Sequence, residues 1–195
     1  MRQMRRVGLE DLVGLTRYGE VRQEARRRII EVKRHRRIAV GDAVSLVFEN
    51  FATVLFQTQE MLFVERISDL DRVREELAVY NEILPGPGEL SATLFVEITD
   101  PSQAVVRLNQ LVGIDECVSL DVEGIRIPGT FEPGRSREDK ISAVQYVRFP
   151  VGETTAQRFG TAGTPIEIAI DHPHYRARTR LTEEQRSALA EDLAA

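Results

Sequence analysis

The sequence predicts an α+β fold, with N-terminal helices packed on a mostly antiparallel sheet and a helix at the C-terminus. Three observations predict it. Helical periodicity dominates residues 1–84, and strand-like runs dominate 85–195. The second half lacks the regular strand–helix alternation that a parallel sheet needs. At 195 residues, 42% hydrophobic and 29% charged, the chain has the make-up of a globular protein with one sizeable core, read as a single domain over 1–195.

The elements follow in order. A short helix around 9–13 precedes a long one over 16–36, where Val21, Ala25, Ile29 and Val32 form a stripe at spacings of three and four. Thr16 is its expected cap and Gly19 a weak spot in its first turn. The β-branched stretch 37–50, with a Gly41-Asp42 turn, reads as two short strands or as an extended segment leading to a strand at 43–48. Residues 51–67 turn helical. Ser68-Asp69 then break and recap the chain, and 69–84 forms a further helix with apolar Leu70, Val73, Leu77 and Tyr80. After the loop 85-PGPGE-89 comes a strand over 90–98. Pro101 opens a helix over 101–112 that stops at Gly113. Strands are expected at 117–124, 141–150, 165–171 and 174–181, a short helix at 153–159, and a mobile loop at 128–140. Thr182 and Gln185 have capping-box spacing ahead of a last helix over 183–194.

Composition excludes several classes of function. No apolar run reaches the roughly 18 residues of a membrane span, and no signal-length apolar stretch follows the basic start, so a cytoplasmic protein without a membrane partner is expected. Cys117 is the sole cysteine, which rules out an internal disulfide, a Cys-rich zinc site and a cluster held on the chain's own thiolates. Residues 1–40 hold 12 Lys+Arg against 5 Asp+Glu, a net +7 that leaves −12 for the remainder of a chain totalling −5. Such a front end suits nucleic acid, an acidic partner, or a solvated helix face. Without Trp and at 6% aromatic there is no stacking platform, and nucleic acid is not the expected partner. Dinucleotide-binding, phosphate-loop, di-iron and serine-hydrolase motifs are missing, so no cofactor is named.

The segment 51-FATVLFQTQEMLFVERI-67 carries the sharpest signal. Plotted at about 100° per residue, Phe51, Val54, Leu55, Met61 and Leu62 form one apolar flank, and Phe56, Phe63 and Ile67 a second. A helix apolar on two sides is buried on two sides, so Glu60 and Glu65 are expected to be drawn out of water. A desolvated carboxylate needs a partner, whether arginine, metal or substrate. In 170-IDHPHYRAR-178, His172 and His174 lie on one side of an extended chain and are candidate metal or acid–base groups. The competing reading is a corner in which Asp171 accepts backbone N–H bonds, Pro173 fixes the bend and Tyr175 packs on the core. Cys117 is a nucleophile or a small buried hydrophobe. The binding candidates are Gln57, Glu60, Glu65, Asn81, Glu97, Gln145, Asp171, His172 and Tyr175, with His172 and Glu60 as candidate metal ligands.

The stretches 33-KRHRRIAVG-41, 56-FQTQEML-62 with Glu65-Arg66-Ile67, Tyr80-Asn81, 92-ATLFVEI-98, 142-SAVQYVRF-149 and 171-DHPHYRAR-178 span nearly the whole chain. Together they resemble a bacterial family of about this length with no assigned activity, a domain of unknown function. Genes of that family often neighbour those for rubrerythrin-like proteins and iron–sulfur oxidoreductase subunits. The resemblance therefore implies a redox or oxidative-stress setting and a rubrerythrin-like or iron–sulfur protein as partner. It carries over no catalytic residue, favours His172 over His174, and places no site at 128–140. The expectation is a non-catalytic accessory or binding protein; the alternative is a metal-binding or acid–base enzyme with a pocket around Glu60 and His172.

Overall fold

A computed structural model describes residues 5–98, 102, 104–131, 136–137 and 140–194. The architecture is α+β. Helices α1 (Leu15–Arg34), α2 (Phe51–Val64) and α3 (Leu70–Asn81) come early, interrupted by the hairpin of β1 (Arg37–Val40) and β2 (Val44–Phe48). Then follow β3 (Glu89–Val96), α4 (Ala104–Gln110), β4 (Val118–Val122), β5 (Ile125–Pro128), β6 (Thr130–Phe131), β7 (Ser136–Arg137) and β8 (Lys140–Ile141). The chain ends with β9 (Val144–Pro150), α5 (Glu153–Gly160), β10 (Ile166–His172), β11 (Tyr175–Arg180) and α6 (Glu183–Ala194).

Two antiparallel sheets face each other, in the orders β1-β2-β3-β9-β6 and β11-β10-β4-β5. Alternation along the strands places Ile38, Leu46, Leu94 and Phe149 of the first sheet against Leu120, Ile168 and Ile170 of the second in one apolar core. Each such side chain contributes about 1.5–3 kcal/mol by leaving water. Phe159 of α5 and Leu189 of α6 join that core, as do Leu111 and Ile114 after α4. The sheets also meet at their edges. The Tyr175 hydroxyl on β11 donates to the Val40 carbonyl (2.6 Å) and accepts from the Ala43 amide (3.0 Å) at the β1–β2 turn. That contact requires Gly41, whose φ is +77° and where a Cβ would lie 2.4 Å from the Tyr175 oxygen.

β2 is buried along its whole length because it is covered on both faces. Val44, Leu46 and Phe48 enter the sheet core, whereas Glu49, just past the strand, meets α2. A second apolar cluster, built from Val7, Val54, Leu62, Val73 and Leu77, lies between the N-terminal segment, α2 and α3.

Several local expectations need correction. α1 starts after Gly14, which makes no side-chain cap bond, so Thr16 falls inside the first turn. α2 is capped by Asn50, whose Oδ1 accepts from the Thr53 amide at 3.1 Å, and it ends at Val64, three residues early, where Arg66 adopts φ +54°. Leu70 is exposed rather than packed. Pro101 and most of 132–139 lie outside the described residues; the described parts of 128–140, Gly129 apart, belong to β5, β6, β7 and β8. Asp69 caps α3, and Thr182 and Gln185 exchange both capping-box bonds (2.9 and 3.3 Å) ahead of α6.

Candidate functional site

Glu60 sits on the side of α2 that meets α1. The Arg22 guanidinium grips it bidentately (2.9 and 2.9 Å), Arg26 adds a bond at 3.1 Å, and the Tyr18 hydroxyl donates at 2.8 Å. Phe63 packs beneath, 5.5 Å from the Tyr18 ring, with the Arg22 guanidinium 4.8 Å from its centroid. The Glu60 side chain is 17% exposed, as its place between aromatic rings predicts. The bonds from Arg22 outweigh the cost of desolvation and hold its carboxyl at a pKa of about 2, while burial and the Glu60 bond push the Tyr18 hydroxyl well up. Glu65 behaves otherwise: it lies at the C-cap of α2 and is exposed, because the helix stops before it can be buried.

Gln57 faces the sheet, and its Nε2 donates to both oxygens of Glu49 (3.1 Å each); the Thr93 hydroxyl donates to the same carboxyl at 2.6 Å. Glu49 is 1% exposed and makes no ion pair among the described residues. Asn81 binds the backbone of Val7 and is occupied in doing so. Gln145 is buried on the core face of β9, opposite Leu94, with its Nε2 3.4 Å from the Ser142 carbonyl.

The His172 region is a corner, built differently from expectation. Pro173 and His174 turn β10 into β11, and His172 pairs across with Tyr175. The acceptor at the bend is the imidazole itself: His172 Nδ1 accepts from the His174 amide at 3.2 Å. Its Nε2, left as the protonated nitrogen, donates to the Val112 carbonyl at 2.9 Å. Both ring nitrogens are thereby engaged, and a metal would have to displace one of these bonds. Asp171 points to the strand surface, where Arg178 (3.3 Å) and Arg126 (3.4 Å) meet it.

Glu60 and His172 bond to different elements, α1 and the turn after α4, so they do not assemble the pocket expected around them. Glu97 and Tyr175 do come together. With Asp42, Arg107, Gln110 and His174 they line a cleft of about 270 Å³ at the α4 end of the sheets. Within it Glu97 accepts from Ser45 and from Arg37 (2.7 Å), and these bonds lower its pKa. No cluster of three or more His, Cys, Asp or Glu suited to a metal occurs among the described residues. Burial, with Glu116 and Asp115 nearby, raises the Cys117 thiol pKa and disfavours the nucleophilic thiolate.

A groove of about 600 Å³ lies between α1 and α2, walled by Val21, Ala25, Val32, Leu55 and Phe56 and by Val13 of the N-terminal segment. The arginines of α1 are largely matched: Arg17 pairs with Glu20, Arg28 with Glu24, Arg34 with Glu31, and Arg22 and Arg26 with Glu60. Sequence reasoning missed Glu49, Gln59 and the Arg36–Asp192 pair. In that pair Arg36 binds both Asp192 oxygens (2.6 and 2.9 Å) in a nearly dry setting, and burial raises the Asp192 pKa against the pull of Arg36. A charged residue beside a strand start and an acidic residue on the last helix were the available signals. No helix among the described residues is long and apolar enough to cross a membrane.

No curated protein matches the chain. Among solved structures, a novel protein of unknown function from Burkholderia pseudomallei K96243 superposes with a TM-score of 0.90 at 32% identity, covering 97% of this chain and 100% of that one. The model of a family described as a protein of unknown function, DUF3501, matches residues 6–193. With that match along almost its entire length, the chain belongs to the DUF3501 family.

Proposed function

We propose that this chain is a non-catalytic accessory protein that docks a partner in the groove between α1 and α2. The observation that carries this reading is the groove itself: about 600 Å³ of largely apolar wall on a helical layer whose acidic and aromatic groups already hold one another. Apolar surface left open beside a satisfied polar network favours association over chemistry. The family resemblance supplies the setting, redox or oxidative-stress metabolism, with a rubrerythrin-like or iron–sulfur protein as the partner; the cytoplasm is the compartment expected from a start without a signal-length apolar stretch. A metal-binding or acid–base role around Glu60 and His172 has less support, because α1 engages the first and the two backbone bonds occupy the second.

The test places a charge in the groove. Ala25→Glu and Val21→Glu are expected to melt within a few degrees of the parent and to weaken anaerobic association with the rubrerythrin-like or iron–sulfur protein at least tenfold. Equal association by the variants, or none by the parent, overturns the reading.

A further inference from the structure

The segment before α1 is held in an unusual way. Val7 donates its amide to Asn81 Oδ1 (2.9 Å) and accepts from Asn81 Nδ2 (2.9 Å) at its carbonyl. Six residues on, Val13 donates to Gln59 Oε1 (2.8 Å) and accepts from Gln59 Nε2 (2.9 Å). Each carboxamide thus matches the N–H and C=O of a single residue, as a neighbouring strand does in a sheet. Both amides are themselves buried. They read backbone, which every peptide carries, and leave side-chain choice to two places. Val7 is 3% exposed in the α2–α3 cluster, and Arg5 lies 4.5 Å over the Phe51 ring. Between the clamps the hold is lighter and mostly local: Leu9 and Val13 are each 38% exposed, Leu12 packs on the cluster only in part, and the Asp11 carboxyl binds within the segment, to the Gly8 amide and Arg5. Low burial around a few directed bonds is the profile of a segment that opens locally without global unfolding.

We propose that the α2–α3 face bearing Gln59 and Asn81 is a binding site for a peptide clamped at two residues on either side of a single 3-10 turn, and that residues 5–14 occupy it as an intramolecular ligand. The peptide it fits has a basic residue two positions before a buried β-branched residue, and a second clamped residue six positions beyond. The inference goes beyond the partner proposed for the α1–α2 groove: the Val13–Gln59 clamp borders that groove, whereas Val7 and Asn81 lie outside its lining.

The test uses the full chain and, as probe, a synthetic peptide of residues 5–15. Amide exchange is followed at Val7 and Val13. Alone, these amides are expected to exchange at least a hundredfold faster than that of Leu62 in α2, and saturating peptide to lower their protection a further tenfold or more. A peptide N-methylated at the positions of Val7 and Val13 is expected to have no effect. Exchange of Val7 and Val13 only with global unfolding, no response to the peptide, or an equal response to the N-methylated one would each overturn the proposal. Val7 and Asn81 lie outside the groove lining, so the groove substitutions are expected to leave Val7 exchange unchanged, and failure here and failure of the docking partner are told apart.

Discussion

The two-sheet core and the helical layer bury their residues by opposite means. Between the sheets, apolar side chains from seven strands and two helices meet, with Gln145 of β9 a polar residue on the same face. In the helical layer, a smaller apolar cluster is framed by polar contacts: Glu60 between Tyr18, Arg22 and Arg26, Gln59 and Asn81 on backbone, and Gln57 on Glu49. The difference teaches where this chain can change shape. Close packing tolerates little rearrangement, whereas a surface joined by directed bonds can break and re-form them one at a time.

The comparison can be broken at graded points. The largest loss is expected from Phe149→Ala, which empties a fully buried site in the sheet core and costs about 3–5 kcal/mol in urea unfolding. Next comes Glu60→Gln, which leaves Arg22 without its charge partner and is expected to lower stability by less than Phe149→Ala but by more than the loss of one neutral hydrogen bond. This loss depends on pH. The folded pKa of Glu60, about 2, lies below its ordinary value of 4.5. Its contribution is complete above pH 4.5 and disappears as pH falls toward 2, so the gap between parent and variant closes over that window. Tyr175→Phe removes the bond between the sheet edges at Val40 and Ala43 and is expected to cost about 1–2 kcal/mol by thermal unfolding. The smallest effect belongs to Arg28→Ala, an exposed pair with Glu24 on α1, at under about 0.5 kcal/mol.

Much of the fold was legible because it is written in local terms. The Thr182–Gln185 box, the Asp69 cap and the Gly41-Asp42 turn each depend on residues within three or four positions, and all three formed. The need of Glu60 for a partner was legible too, from aromatic residues on its own helix. What escaped was set by distance along the chain. Gln59 meets Val13 across 46 residues, Asn81 meets Val7 across 74, and Arg36 meets Asp192 across 156. No periodicity connects such positions. The His172 corner escaped for another reason: its sequence offers an aspartate and an imidazole as rival acceptors, and only the strand pairing decides that Asp171 faces Arg178 while the ring of His172 turns inward. The site was the least legible part, because Glu97 and Tyr175 reach one cleft only after two sheets have closed on each other.

The claim beneath all of this is that the polar groups of the helical layer hold structure and are already satisfied. A carbon-detected NMR titration of the Glu60 carboxyl in the native protein tests it most directly. An apparent pKa of about 2 is predicted, lost together with the resolved Tyr18 hydroxyl proton when Arg22 is replaced by methionine. A Glu60 carboxyl that titrates near 4.5 in the native protein would contradict the account.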